Sequence, residues 1–253
     1  MCRRALIVGL LTLGVARLAA AAPAPPSHAV GTSVDELLSR PLALVVALAL
    51  VSLLPFVFMT LTSFVKISTV LQIVRGAIGA QNVPSGTVVM ALSAALTVLA
   101  MAPVGTRMLE RAAPLWEGKV RDTSELVTGL VDATRDPMRA FLQSNASERE
   151  RVRFFDVAKK ARPEAERAQV GAGDFVVLIP AFVTTELYEA FALGFAIYLP
   201  FLIIDLVVAN VLLALGMQML SPTQVSLPFK LLLFVAIDGW ALLSQALVAG
   251  YRF

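Results

Sequence analysis

The residues best able to do chemistry in this chain are carboxylates set in apolar surroundings. Glu186 and Glu189 stand in "TTELYEAFAL", Asp205 in "FLIIDLVVAN" with Asn210 behind it, and Asp238 in "FVAIDGW". Lys230 precedes Asp238 in "LPFKLLLF". Glu186 and Glu189 are three residues apart and therefore share a face if the segment is helical. A charge at the centre of a bilayer costs at least about 2.5–3.5 kcal/mol, so all these groups must face protein or water. Three chemistries fit them. The acids could form the relay of a proton- or ion-coupled transporter. Asp205 and Asp238 could share a proton as the dyad of an intramembrane aspartyl protease. Or the acids could pair with Lys66, Arg75, Lys230 or a neighbouring subunit and fix helix packing. The protease reading lacks the usual Gly-x-Gly-Asp, having "AIDG" and "IIDL" instead. Residue types alone favour pairing.

Other chemistry finds little support. Cys2 is the only thiol and His28 the only imidazole, which leaves no intrachain disulfide, no Cys/His metal site and no credible Ser-His-Asp triad. "WEGKV" carries Gly118 and Lys119 without the upstream glycine or following Ser/Thr of a phosphate-binding loop. "NAS" at Asn145 matches a glycosylation sequon only at chance level. No cofactor, no metal and no enzymatic activity are expected, and no nucleic acid either, since a net charge of +3 is ordinary for a membrane protein.

The elements that must position these groups are apolar helices. Of 253 residues 58% are apolar, and the mean hydropathy is +0.79, outside the range of soluble domains. Residues 1–21 read as a cleavable secretory signal: Arg3 and Arg4, then "ALIVGLLTLGVA", then small residues at Ala19 to Ala22. Residues 22–40 look like an extended mature N-terminus. A first helical hairpin is expected over 41–104, with spans over 41–64, bent at Pro55, and over 83–104, closed by Pro103. Lys66 and Arg75, with no acid between the spans, place the 66–82 connector in the cytoplasm. Residues 105–170 hold 24 of the chain's 39 charges, of both signs, and should form a small solvated helical domain on the other side of the membrane. Residues 171–253 return to apolar helix. The run from 175 to 220 would measure about 69 Å as one helix, so Pro180 and Pro200 are the expected breaks.

One break is chemically odd. "LGMQMLSP" places Met217 and Met219 around Gln218, between Gly216 and Pro222. Methionines of this kind usually fill core gaps.

Three stretches taken together resemble the FliP/SctR family, the export-apparatus membrane proteins of flagellar and virulence type III secretion systems. They are "SLLPFVFMTLTSFVKISTVLQIVRGAIGAQNVPSGTVVMALSAALTVLAMAPV" (52–104), "LIPAFVTTELYEAFALGFAIYLPFLIIDLVVANVLLALGMQMLSP" (178–222) and "SLPFKLLLFVAIDGW" (226–240). Lys66 in "TSFVKIS" looks more like the injectisome SctR branch, whereas flagellar FliP usually has arginine there; a cleavable signal is more usual in the flagellar branch. The resemblance implies an all-α integral membrane protein of helical hairpins that assembles into a ring-like helical oligomer. It implies assembly with SctS-type and SctT-type proteins (or FliQ and FliR equivalents), and with SctU-type and SctV-type components. Such a gate would pass unfolded protein substrates across the bacterial inner membrane and project into the periplasm. The acids, with Lys66, Asn210 and Lys230, would then lie buried between helices or subunits. The loop at 216–222 would match the family's Met-rich loop, whose copies meet on the axis as a gasket formed here by Met217, Gln218 and Met219. Gln218 departs from the family's consecutive methionines, and its amide would need a partner in a dry plug.

Overall fold

The computed structural model describes residues 34–80, 83–116, 123–217 and 219–253. The signal segment, residues 22–33 and Gln218 lie outside the described residues. Those described are helical with no strand. We number the helices α1 (Val34–Leu61), α2 (Phe64–Ile78), α3 (Gly86–Trp116), α4 (Thr123–Asn145), α5 (Glu148–Lys160), α6 (Phe175–Ala214), α7 (Pro222–Ala236) and α8 (Gly239–Ala249), with a 3-10 turn at Glu164–Gln169. The chain divides into two compact units, Met1–Val51 and Ser52–Phe253. The first contributes only the start of α1 to the description, and everything below concerns the second.

Helix α2 is the centre of this unit. Ile67, Val70, Leu71 and Val74 recur at helical spacing and are inaccessible to solvent, as are Leu178, Ala181 and Phe182 on α6. Phe182 meets Phe141 of α4 edge-on, with ring centroids 5.5 Å apart. The stretch between the first two apolar segments is therefore core helix.

The first helix break falls where a side chain satisfies freed backbone groups, not at a proline. Pro55 lies inside α1. The chain turns by 71° at Thr62–Ser63, where the Thr62 hydroxyl donates to the Phe58 carbonyl and accepts from the Phe64 amide. Pro103 does not end its helix: α3 runs through it to Trp116, so residues 104 and 105 lie within a helix. Pro180 and Pro200 do not interrupt α6, which is one helix of 40 residues. At about 1.5 Å per residue it measures about 60 Å, twice the hydrocarbon thickness. Membrane helices tolerate proline because neighbouring groups re-satisfy the freed carbonyls.

Among the described residues two helices, Gly86–Leu115 and Phe175–Ala214, are long and apolar enough to cross a membrane. The bent pairs Val51–Leu61 with Phe64–Ile78 and Pro222–Ala236 with Gly239–Ala249 could each supply a further broken span. The second bend, 58°, sits at Asp238, whose φ of 50° is left-handed. Gly239 follows because a Cβ there would lie 2.3 Å from the Phe234 ring. The charged stretch is helical, as expected. Within it α5 is capped by Ser147, with acids in its first turn and Lys159 and Lys160 in its last, the order the helix dipole favours. It does not stand apart as a separate body: α4 and α5 pack on α6.

Candidate functional site

Two buried polar locks hold α2 against the C-terminal helices. At its N-terminal end, Lys66 Nζ lies 2.5 Å from Glu189 Oε2 of α6 and 5.0 Å from the centre of the Tyr251 ring. The Lys66 side chain is 6% exposed and that of Glu189 46%, so the pair sits at the edge of the core. Glu186, one turn before Glu189 on the same face, is buried and accepts a hydrogen bond from Tyr251 at 2.5 Å. Tyr251 Oη also lies 3.2 Å from the Ser63 carbonyl. Burial, and then the Glu186 carboxylate, hold the Tyr251 hydroxyl well above the ordinary tyrosine range, so it serves as a donor.

At the other end of α2, Lys230 Nζ lies 2.7 Å from Asp205 Oδ2 and donates to the Ala77 carbonyl at 3.1 Å. Ala77 lies in the last turn of α2, whose carbonyls have no partner within the helix. The ammonium therefore caps α2, which ends at Gly79 with φ of 77°. Ser226 donates to the other carboxylate oxygen of Asp205 at 2.6 Å. Both cations are almost fully enclosed, and each has the acid it needs; an unpaired charge at either position would cost several kcal/mol.

These placements bear on the three chemistries. The carboxylate of Asp205 is engaged by Lys230 and Ser226, whereas Asp238 is exposed at the α7–α8 corner, which removes the shared-proton dyad. Asn210 is likewise exposed on this chain, and Arg75 is half-buried. Among the described residues no group of three His, Cys, Asp or Glu is placed to hold a metal. Sequence reasoning missed Tyr251, Ser226 and Ser63. Ser226 lies four residues before Lys230, one turn away on the same face, and was legible on that ground; Tyr251, 65 residues beyond Glu186, was not.

The loop after α6 is built to stop a helix and present side chains. Gly216 adopts φ of 71°, the Met217 amide donates to the Leu212 carbonyl at 2.9 Å, and the Gly216 amide to Leu213 at 3.1 Å. That pairing is a Schellman cap. Pro222 then starts α7 at its first position, where its missing N–H costs nothing. Met217 is exposed and Met219 is 100% exposed, so neither fills a gap in this chain's core. Gln218 lies outside the described residues.

The described residues define an all-helical membrane protein whose buried lysines are paired with acids and whose long apolar faces are left open. Residues 47–247 match the model of the FliP family, and the chain belongs to that family. It is 42% identical over 210 residues to the hypersensitivity response secretion protein HrcR of Ralstonia nicotianae, covering 83% of this chain and 97% of that protein. It is 40% identical over 209 residues to the Yop proteins translocation protein R of Yersinia pestis, covering 82% and 95%. The flagellar biosynthetic protein FliP of Cereibacter sphaeroides is 42% identical over 211 residues, which cover 83% of this chain and 66% of that protein.

Proposed function

We propose that this chain is a core, non-enzymatic subunit of a type III protein-export gate in the bacterial inner membrane. Several copies, with SctS-type and SctT-type proteins and alongside SctU-type and SctV-type components, would enclose the path of an unfolded substrate. The observation that carries this reading is the family match over residues 47–247, which takes in both ion-pair locks and the methionine loop. The open apolar faces support it: only 11% of the most apolar window of α6 is buried within the chain, a surface suited to lipid and to other subunits. At about 60 Å, α6 also exceeds one bilayer, as expected of an assembly that projects beyond it, here into the periplasm.

The injectisome branch is supported by coverage. The matches to HrcR and to the Yop protein span nearly all of those proteins, whereas the match to flagellar FliP leaves a third of that protein uncovered. The flagellar reading keeps its support from the 42% identity. The test is assembly. Co-expressed with its SctS-type and SctT-type partners, the chain should purify from the membrane as one large hetero-oligomer. A stable monomer that never acquires them would contradict the proposal.

A further inference from the structure

Asn145, which ends α4, makes an unusual pair of bonds. Its Nδ2 donates to the Arg252 carbonyl at 2.9 Å and its Oδ1 accepts from the Arg252 amide at 3.0 Å, as a neighbouring strand would. Phe141, one turn earlier, stacks on both Tyr251 and Phe253, with centroids 6.0 and 6.1 Å away. These contacts carry Tyr251 over Lys66 and onto Glu186. Gly250 caps α8, its amide donating to the Ala246 carbonyl at 3.1 Å, and Tyr251–Phe253 beyond it belongs to no helix, so Tyr251–Phe253 can leave without breaking a helical hydrogen bond.

Beside it lies a cavity of about 390 Å³ lined by Lys66, Glu186, Glu189, Asn145, Arg151 and Arg252, among others. That is room for several waters at about 30 Å³ each. Ser63, beneath Tyr251, is inaccessible to solvent and its hydroxyl has no partner.

We infer that Asn145 and Tyr251–Phe253 form a clasp that seals Ser63, and the face of Glu186 that the Tyr251 hydroxyl covers, from this cavity's water. Opening the clasp is a local step that leaves the helices in place. The Glu186 carboxylate then exchanges the Tyr251 hydroxyl for water, with the α2–α6 packing beneath it intact. The clasp stands whether or not the chain belongs to an export gate.

The test uses the full chain in detergent micelles, with Cys2→Ser to remove the native thiol. Ser63→Cys reports the state of the clasp through its rate of reaction with N-ethylmaleimide. Thr97→Cys, at a fully buried position in α3, reports global loosening. With Asn145 intact both thiols should resist the reagent. Asn145→Ala should speed reaction at position 63 at least tenfold and leave position 97 unchanged. In protein that keeps Ser63, the same substitution should accelerate hydrogen exchange at the Arg252 amide. Equal rates at position 63 with and without Asn145, or parallel acceleration at position 97, would overturn the clasp.

Discussion

The buried lysines set the energetics at the scale of single residues. Lys230 is 4% exposed and Asp205 30%, so the two halves of that pair are not equivalent. Asp205→Ala strands an enclosed ammonium with one carbonyl for company and should destabilise the chain by about 3 kcal/mol or more. Lys230→Met leaves a carboxylate that keeps Ser226 and reaches water, and should cost only about 1 kcal/mol. Urea unfolding of the two variants in micelles measures the difference, and equal losses would show that Lys230 is not the buried partner. The pairing principle was legible in the sequence because so few cations stand near the acids. The assignment of Glu189 to Lys66 and Asp205 to Lys230 was not, since Arg75 was an equal candidate until the fold placed it elsewhere. Glu186 shows the limit: its partner is a neutral hydroxyl, which no count of charges could have found.

At the scale of elements, helical content could be read from composition but helix ends could not. Proline misled because its local cost is recovered by neighbours in a packed membrane helix, as at Pro103, Pro180 and Pro200. The true break at Thr62–Ser63 depends on one threonine hydroxyl serving both sides, a pattern too common in sequence to stand out. Gly216 was legible, because a glycine just past an apolar run is the usual cap. Gly239 depends on tertiary contact: Phe234 packs edge-on against Trp240, with centroids 5.1 Å apart, and its ring fills the space a Cβ would need. Gly239→Ala should therefore destabilise the α7–α8 corner by about 1–3 kcal/mol. Adding Phe234→Leu should recover part of that loss. A melting temperature unchanged by Gly239→Ala would mean the ring moves aside freely.

At the scale of the whole molecule, the polar and apolar parts have separate tasks. The two buried lysines are paired inside the chain and brace α2 at both ends, while the faces of α6 and α7 and the loop after α6 stay open. A solitary globular membrane protein has little use for a fully exposed methionine on a capped loop. In a gate built from several copies, flexible thioethers could pack into a dry plug and re-pack around a passing chain. Gln218 would be the wettest point of such a plug, because its amide needs a partner. The most direct measurement is the ion conductance of the reconstituted hetero-oligomer in a planar bilayer, for the parent and for Met217→Ala with Met219→Ala. The export-gate account predicts that the double variant assembles normally and leaks small ions, while Gln218→Met tightens the closed state. A double variant as tight as the parent would contradict it.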